Sequence, residues 1–287
     1  MKKLLFFGAL VFLLGGCVKN EPAPVWLEIN EWSIVDNPLV EPGYLSHNFT
    51  DAWVYVDNKL IGVFELPCKI PVMMEGSNKS VRVYPTIRNN GISATKKIYP
   101  FCEPYEVYQD LVSGGTITIN PVTKYYSNCQ FWLEDFSTSN AEFATDEDVS
   151  NAEMYIEEDP NIVLDGKYGH VHFEGADSLW VGVSSMPLQL PQGGAEVYLE
   201  IEYRNSMPIL QGVIAELTSG NEADNPYISM NAQGANDLEW KKIYIDLREI
   251  VSYYTNATGF KQYLKSAINS TYPSGDIYID NIRLVYF

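Results

Sequence analysis

The chain has little of what chemistry most often needs: three histidines and four cysteines in 287 residues, with no Cys-x-x-Cys pair. It has no nucleophile elbow, no phosphate-cradling glycine loop and no metalloprotease helix. A zinc cluster is not indicated, because the histidines lie far from the cysteines. Positive charge is also scarce, with 19 Lys and Arg against 37 Asp and Glu and a formal net charge of -18. Nucleic acid is excluded as a partner, since repulsion from phosphate opposes the counterion release that drives such binding. No apolar run reaches the roughly 20 residues that a spanning helix needs. The run Leu4 to Leu14 is too short and soon meets Lys19, Glu21, Pro22 and Pro24.

What is present at the start is an export signal: Met1, Lys2 and Lys3, the apolar run, then Gly15, Gly16 and Cys17. Leu14-Gly15-Gly16-Cys17 resembles the lipobox of bacterial lipoproteins. The resemblance implies a signal peptide over 1–16, diacylglycerol on Cys17, a lipidated tether over 17–24, and a protein anchored in the cell envelope at the outer membrane. Loss of 1–16 removes two lysines and no acid, taking -18 to -20. Such acidity disfavours a peripheral hold on anionic lipid, so acyl chains must do the anchoring. Three cysteines remain, and an odd number cannot all pair within one chain. Cys68 and Cys102 lie in one predicted domain and an exported protein can keep a disulfide, so a bridge between them stays open.

Charge divides the rest. From Asn20 to Tyr126 there are 8 basic and 12 acidic residues, and from Ser127 to Phe287 there are 8 and 25. The predicted domains are therefore 25–126 and an acidic 127–287, and strand signals dominate both. In the first, Val54 to Val56, Asp57-Asn58 and Leu60 to Phe64 read as a hairpin whose turn residues tolerate positive φ. Gly114-Gly115 marks a turn before Thr116 to Ile119, and about seven strands fit an immunoglobulin-like sandwich. The stretch 51–85, with Val-Tyr-Val-Asp-Asn-Lys-Leu-Ile-Gly, a proline-led strand at Pro67 to Val72 and the Gly76 turn, resembles a PEGA-type domain. That implies a cell-envelope β-sandwich without catalytic residues. The wider arrangement, with Asn89-Asn90-Gly91-Ile92-Ser93 and Tyr99-Pro100-Phe101, resembles two-domain surface lipoproteins of Bacteroidota.

In the second domain Val197, Leu199, Ile201 and Tyr203 share one strand face, and Glu196, Tyr198, Glu200 and Glu202 the other. Ile243, Ile245 and Leu247 likewise oppose Lys242, Tyr244 and Asp246. Near the end Ile277 and Ile279 hold one phase, while Ile282, Leu284 and Tyr286 hold the other. Either a β-bulge resets the register at Asp280-Asn281 or Asp280 turns inward. Phe260 to Ile268 fits helix and strand spacing equally. Trp240-Lys-Lys-Ile-Tyr-Ile-Asp-Leu and Ile277-Tyr-Ile-Asp-Asn-Ile-Arg-Leu resemble late strands of galactose-binding-like, carbohydrate-binding jelly rolls. The fold expected is thus all-β: an immunoglobulin-like sandwich, then a jelly roll. The likeness also implies a structural calcium held by Asp135, Asp165 and Asp280, with no cofactor required.

If the aliphatic faces fill the core, the opposite faces present Tyr198 with Glu200, Tyr244 with Asp246, Tyr278, and nearby Trp180. Flat rings beside carboxylates suit a sugar, stacking on its C-H faces while the acids accept from its hydroxyls. The bland alternative places these rings under a second layer or under the first domain. His170 and His172 leave one strand face, yet two ligands do not make a metal site and solvent exposure accounts for them. Glu142 to Asp159 carries eight acids and no base, the composition of a solvated loop, without the glycine and spacing of an EF-hand. Asp177-Ser178-Leu179 resembles the O-glycosylation acceptor of exported Bacteroidota proteins.

The favoured reading is a non-catalytic surface lipoprotein that binds a glycan through its jelly roll. A structural or assembly role, docking another envelope protein, comes second, and a glycoside-active enzyme third. Cys17→Ser should abolish labelling by a fatty-acid analogue and release the protein from the membrane fraction or leave its precursor uncleaved. Normal labelling of that variant would remove the anchor.

Overall fold

The computed structural model describes residues 23–138, 141–234 and 236–287. The export signal and Cys17 lie outside the described residues.

Ten strands form the first sandwich: β1 (Val25–Ile29), β2 (Ser33–Ile34), β3 (Asp51–Val56), β4 (Lys59–Glu65), β5 (Cys68–Val72), β6 (Gly76–Arg88), β7 (Lys96–Ile98), β8 (Tyr105–Leu111), β9 (Thr116–Ile119) and β10 (Val122–Thr123). One sheet runs β5-β1-β9 and the other β4-β3-β6-β7 with β8 also on β6, while β2 and β10 pair with each other as a separate two-stranded ribbon. Their facing side chains, among them Leu27, Ile29, Val54, Val56, Val81 and Val83, close an immunoglobulin-like core. The β3-β4 hairpin turns on Asp57 and Asn58 at φ 46 and 62, the mirror-image turn that matches strand twist. Nine strands rather than seven precede Asn120 among the described residues. The extra pieces, such as β2 and β7, are two and three residues long, too short to show a period. Cys68 is half-buried, Cys102 and Cys129 are buried, and all three are free thiols. Burial pushes the Cys129 thiol up to about 12, so it is inert as a nucleophile.

The second unit is a jelly-roll sandwich of β11 (Gln130–Glu134), β12 (Phe143–Thr145), β13 (Met154–Glu157), β14 (Tyr168–Phe173), β15 (Leu179–Ser184), β16 (Val197–Asn205), β17 (Ile209–Leu217), β18 (Glu222–Met230), β19 (Lys241–Asp246), β20 (Ala257–Ala267) and β21 (Gly275–Tyr286), with one short helix, α1 (Arg248–Tyr253). A six-stranded sheet, β13-β14-β21-β16-β19 with β11 on β21, faces a five-stranded sheet, β12-β15-β20-β17-β18. Val197, Leu199, Ile201, Ile243, Ile245 and Leu247 fill the space between them. The segment that fitted helix and strand alike is strand β20. The acidic run is no single loop, because it contributes the edge strands β12 and β13, one to each sheet. At Asn281, φ 48, β21 carries the β-bulge: Glu200 faces Arg283 and Glu202 faces Asp280, so two residues of β21 oppose one of β16. The bulge lets Ile277 and Ile279 and then Ile282 and Leu284 all point inward.

The outer face of the six-stranded sheet is where the first sandwich docks. Glu200 is fully buried there. It accepts hydrogen bonds from Tyr99, from the Tyr125 hydroxyl at 3.0 and 3.1 Å, from Arg283 Nη1 at 3.0 Å, and an ion pair from Lys242 Nζ at 2.7 Å. Burial alone would raise this carboxyl, but Lys242 and Arg283 outweigh it and hold it below the ordinary range. Tyr198, Tyr244 and Val285 join the apolar core of the first sandwich, and Tyr99 lies 5.0 Å from Tyr244 between ring centroids. The edge of β19 is capped by the turn after β6: Asn90 N donates to Tyr244 O at 2.9 Å, and Asp246 N donates to Asn90 Oδ1 at 2.8 Å. Gly91, at φ 71, makes that approach possible, because a Cβ would stand 3.1 Å from Ile243 Cδ1 in a backbone conformation that side chains rarely adopt.

Glu200→Gln leaves Lys242 and Arg283 charged and dry, and should cost about 3 to 5 kcal/mol of unfolding free energy. An unfolding free energy from denaturant titration that falls by less than about 1 kcal/mol would mean that water reaches both cations.

Candidate functional site: the cleft between the sandwiches

Where the capping of β19 stops, a cleft of about 570 Å³ opens between the two units. Tyr44, His47 and Asn48 come from the segment between β2 and β3, Arg88 from the end of β6, Leu164 from the segment between β13 and β14, Glu202 and Tyr203 from β16, Trp240 from just before β19 and Lys241 from its first position. Asn48 is fixed by two hydrogen bonds to the second unit's edge: its backbone N-H donates to the Tyr244 hydroxyl at 2.9 Å, and its side-chain amide donates to Lys242 O at 2.9 Å. Trp240 Nε1 donates to Ile162 O at 2.6 Å, and the Tyr168 ring meets the indole edge to face at 6.2 Å. His47 stacks on Phe49 at 5.1 Å. Burial, and then the Lys242 charge, lower its pKa, so the imidazole is neutral near pH 7. Glu202 accepts from Ser46, from Lys242 at 3.4 Å and from Asn281 Nδ2 at 3.3 Å, and burial pushes its carboxyl up.

The ring platform expected on the free sheet face is not free. Tyr198, Glu200, Tyr244 and Asp246 are all buried beneath the first sandwich. Tyr198 donates to Asn89 Oδ1 at 2.7 Å, and Asp246 pairs with Lys97 at 2.9 Å. Of these four only Tyr244 touches the cleft. Trp180 points the other way, into the core, where its indole donates to Thr145 at 3.1 Å. Gly182 leaves room for that ring, since a Cβ there would stand 2.4 Å from it. Tyr278 lies under His170, stacked at 4.4 Å, with Arg204 5.5 Å from its ring. Trp240, Tyr44, His47 and Arg88 were not singled out by sequence. Trp240 stands in a recognisable strand motif, but its neighbours across the cleft are roughly 150 to 200 positions away in the chain, beyond any local pattern.

Both histidines of β14 converge on one carboxylate. His170 Nε2 and His172 Nδ1 lie 3.0 and 2.8 Å from Asp276 Oδ1, and His170 Nδ1 lies 3.0 Å from Glu157. Burial would raise Asp276, yet the bonds from His172 and His170 hold it low. Ser178 is half-buried, with Asn151 bonded to its hydroxyl at 3.1 Å.

Asp135, Asp165 and Asp280 do not assemble as a ligand set: among the described residues no group of three or more His, Cys, Asp and Glu is placed to hold a metal. Asp135 caps its own turn, accepting from Ser137 N at 3.0 Å, while its neighbour Glu134 turns inward onto the backbone of Phe136 and Phe143. Asp165 does approach Asp280. Asp280 is fully buried; one of its oxygens accepts from Asn281 N at 2.7 Å and the other has no partner. Burial, with the charges of Glu202 and Asp165, raises it to about 8.

No family model matches the chain, and no curated protein matches it. Among solved structures, the chain is similar to a xylan-binding domain of carbohydrate-binding module family 22, at 13% identity over 54% of this chain and 93% of that one, with a TM-score of 0.38. A family 11 carbohydrate-binding module of a cellulosomal cellulase from Clostridium thermocellum matches at 16% identity over 54% and 92%, with a TM-score of 0.37. The enzymatically active domain of a tailspike protein from bacteriophage CBA120 matches at 13% identity over 52% of this chain and 20% of that one, also with a TM-score of 0.37.

The raised Asp280 sets a sign for pH. Folded, it keeps its proton up to about 8, whereas unfolded it loses it near 3.8. This group therefore subtracts stability as pH rises through that window and subtracts nothing below it. Asp280→Asn should raise stability at pH 8 by roughly 2 kcal/mol, a discounted share of the roughly 1.4 kcal/mol that each pKa unit carries, and should change little at pH 3.5. Thermal melts of both proteins at the two pH values test it, and a bound cation would reverse the sign, making the variant melt earlier at pH 8.

Proposed function

We propose that this chain is a non-catalytic cell-envelope protein, held at the outer membrane by lipid on Cys17, that binds a glycan in the cleft between its two sandwiches. The cleft itself carries the reading. It is concave, about 570 Å³, and lined by Trp240, Tyr44 and Tyr203 together with the amide of Asn48 and the charged groups of Arg88 and Lys241. Pockets of roughly 300 to 1,000 Å³ at domain junctions, with aromatic walls and a few polar groups, suit small ligands. A sugar ring offers C-H faces to an indole and hydroxyls to amides and charges. Trp240 is already clamped by Ile162 and Tyr168, so little side-chain freedom remains to be lost on binding.

The carboxylates nearest the cleft are engaged in structure. Glu200 is sealed beneath four donors, and Glu202 is bonded by Ser46, Lys242 and Asn281. Neither is free to exchange a proton with a substrate. A second reading, docking of another envelope protein, rests on the outer face of the five-stranded sheet. There Val181 and Val183 of β15 and Leu210 and Ile214 of β17, the two strands that flank β20, stay half-exposed.

The test is a glycan array probed with the full chain, followed by Trp240→Ala on whatever binds. The variant should bind at least about tenfold more weakly while keeping its β-type circular dichroism, a loss of about 1.4 kcal/mol or more. A wild-type chain that binds no glycan would favour the docking role.

A further inference from the structure

Charge singles out the class of sugar. The chain as a whole carries -18, yet the cleft walls bring together Arg88, Lys241 and Lys242 against the single acid Glu202. Lys242 is committed to Glu200 and Glu202 beneath the cleft. The other two cations are not committed in this way. Lys241 is exposed and has no carboxylate partner among the described residues. Arg88 has one exposed partner, Glu65 at 3.3 Å from Nη2, and its Nε is shielded from water without any hydrogen-bond partner. That exposed pair is weak, so the guanidinium end can exchange Glu65 for a ligand carboxylate.

We infer that the cleft recognises an acidic saccharide, with the carboxylate of a uronic-acid unit received by Arg88 and Lys241 and the sugar ring carried by Trp240. This rests on the glycan reading and narrows it. A planar carboxylate matches the fork of a guanidinium in two parallel bonds, and such charge-assisted bonds are about twice as strong as neutral ones. Glu202 does not cancel the attraction, because Ser46, Lys242 and Asn281 occupy its oxygens. Outside the cleft the acidic surface repels a polyanion, so productive contact is confined to the place where the cations stand. The arrangement selects by position as well as by charge.

The experiment is calorimetric titration of the full chain with oligogalacturonate, alginate and hyaluronan oligosaccharides, each beside its carboxyl-reduced neutral counterpart. At least one acid form should bind about tenfold or more tightly than its neutral counterpart, as one lost charge-assisted contact implies. Arg88→Gln and Lys241→Gln should each shrink that ratio toward one, the acid form losing more affinity than the neutral form, because glutamine keeps a hydrogen-bonding amide but not the charge. Equal binding of acid and neutral forms, or an acid preference that survives both substitutions, overturns the inference and leaves glycan binding standing. Failure of every saccharide, acid and neutral, overturns both.

Discussion

The ion-paired carboxylate of Glu200 is the contact on which the arrangement of the molecule depends. A charge taken wholly out of water is tolerated only when its partners surround it, and here they come from both sandwiches. Tyr99 and Tyr125 belong to the first, and Lys242 and Arg283 to the second. Arg283 also donates to Tyr44 O at 2.8 Å, tying down the loop that forms one wall of the cleft. Separating the units would expose the rings of Tyr99, Tyr198 and Tyr244 and strip Glu200 of two donors at once. The rings supply most of the driving force by burial, and the polar network makes one register of docking better than its neighbours.

The cleft follows from that docking. The first sandwich covers β19 from Lys242 to Asp246 through Asn48, Asn90 and Gly91. It does not cover the start of the strand. Trp240 and Lys241 are therefore left at the mouth of a groove whose far wall is the segment of Tyr44 and His47. The same capping removes an open sheet edge that would otherwise invite pairing with another chain. One contact thus protects the edge and shapes a concavity beside it.

Charge is partitioned by the same geometry. Most of the acids of the second unit lie on its surface, while the interface collects cations as counter-charges to Glu196, Glu200, Glu202 and Asp246. Cations at the rim of that interface are what the cleft inherits. An acidic protein can in this way carry a local basic lining without giving up the net charge that keeps it apart from other polyanions.

Legible in the sequence were the alternation and inward faces of the central strands and a break of phase in β21, left open between a bulge and an inward Asp280, whereas β20 fitted a helix equally and the short strands β2, β7, β12 and β13 carried no period. What was legible is local pattern: Val197, Leu199 and Ile201 alternate at period two, and the phase of Ile277 and Ile279 breaks before Ile282 and Leu284. The mirror-image turn at Asp57-Asn58 was legible for the same reason. What covers the other face was not. Alternation states that the two faces of a strand differ, and it is silent on whether the polar one meets water or another sandwich. Tyr198, Glu200 and Tyr244 fit a solvent-facing sugar platform as well as they fit a buried seam. The docked fold settles it, because burial of a carboxylate depends on a cation and hydroxyls that arrive from Tyr99, Tyr125 and Arg283, residues 75 to 101 positions away. The cleft was hidden on the same ground, its walls drawn from five separate stretches of chain that meet only once the two sandwiches have docked.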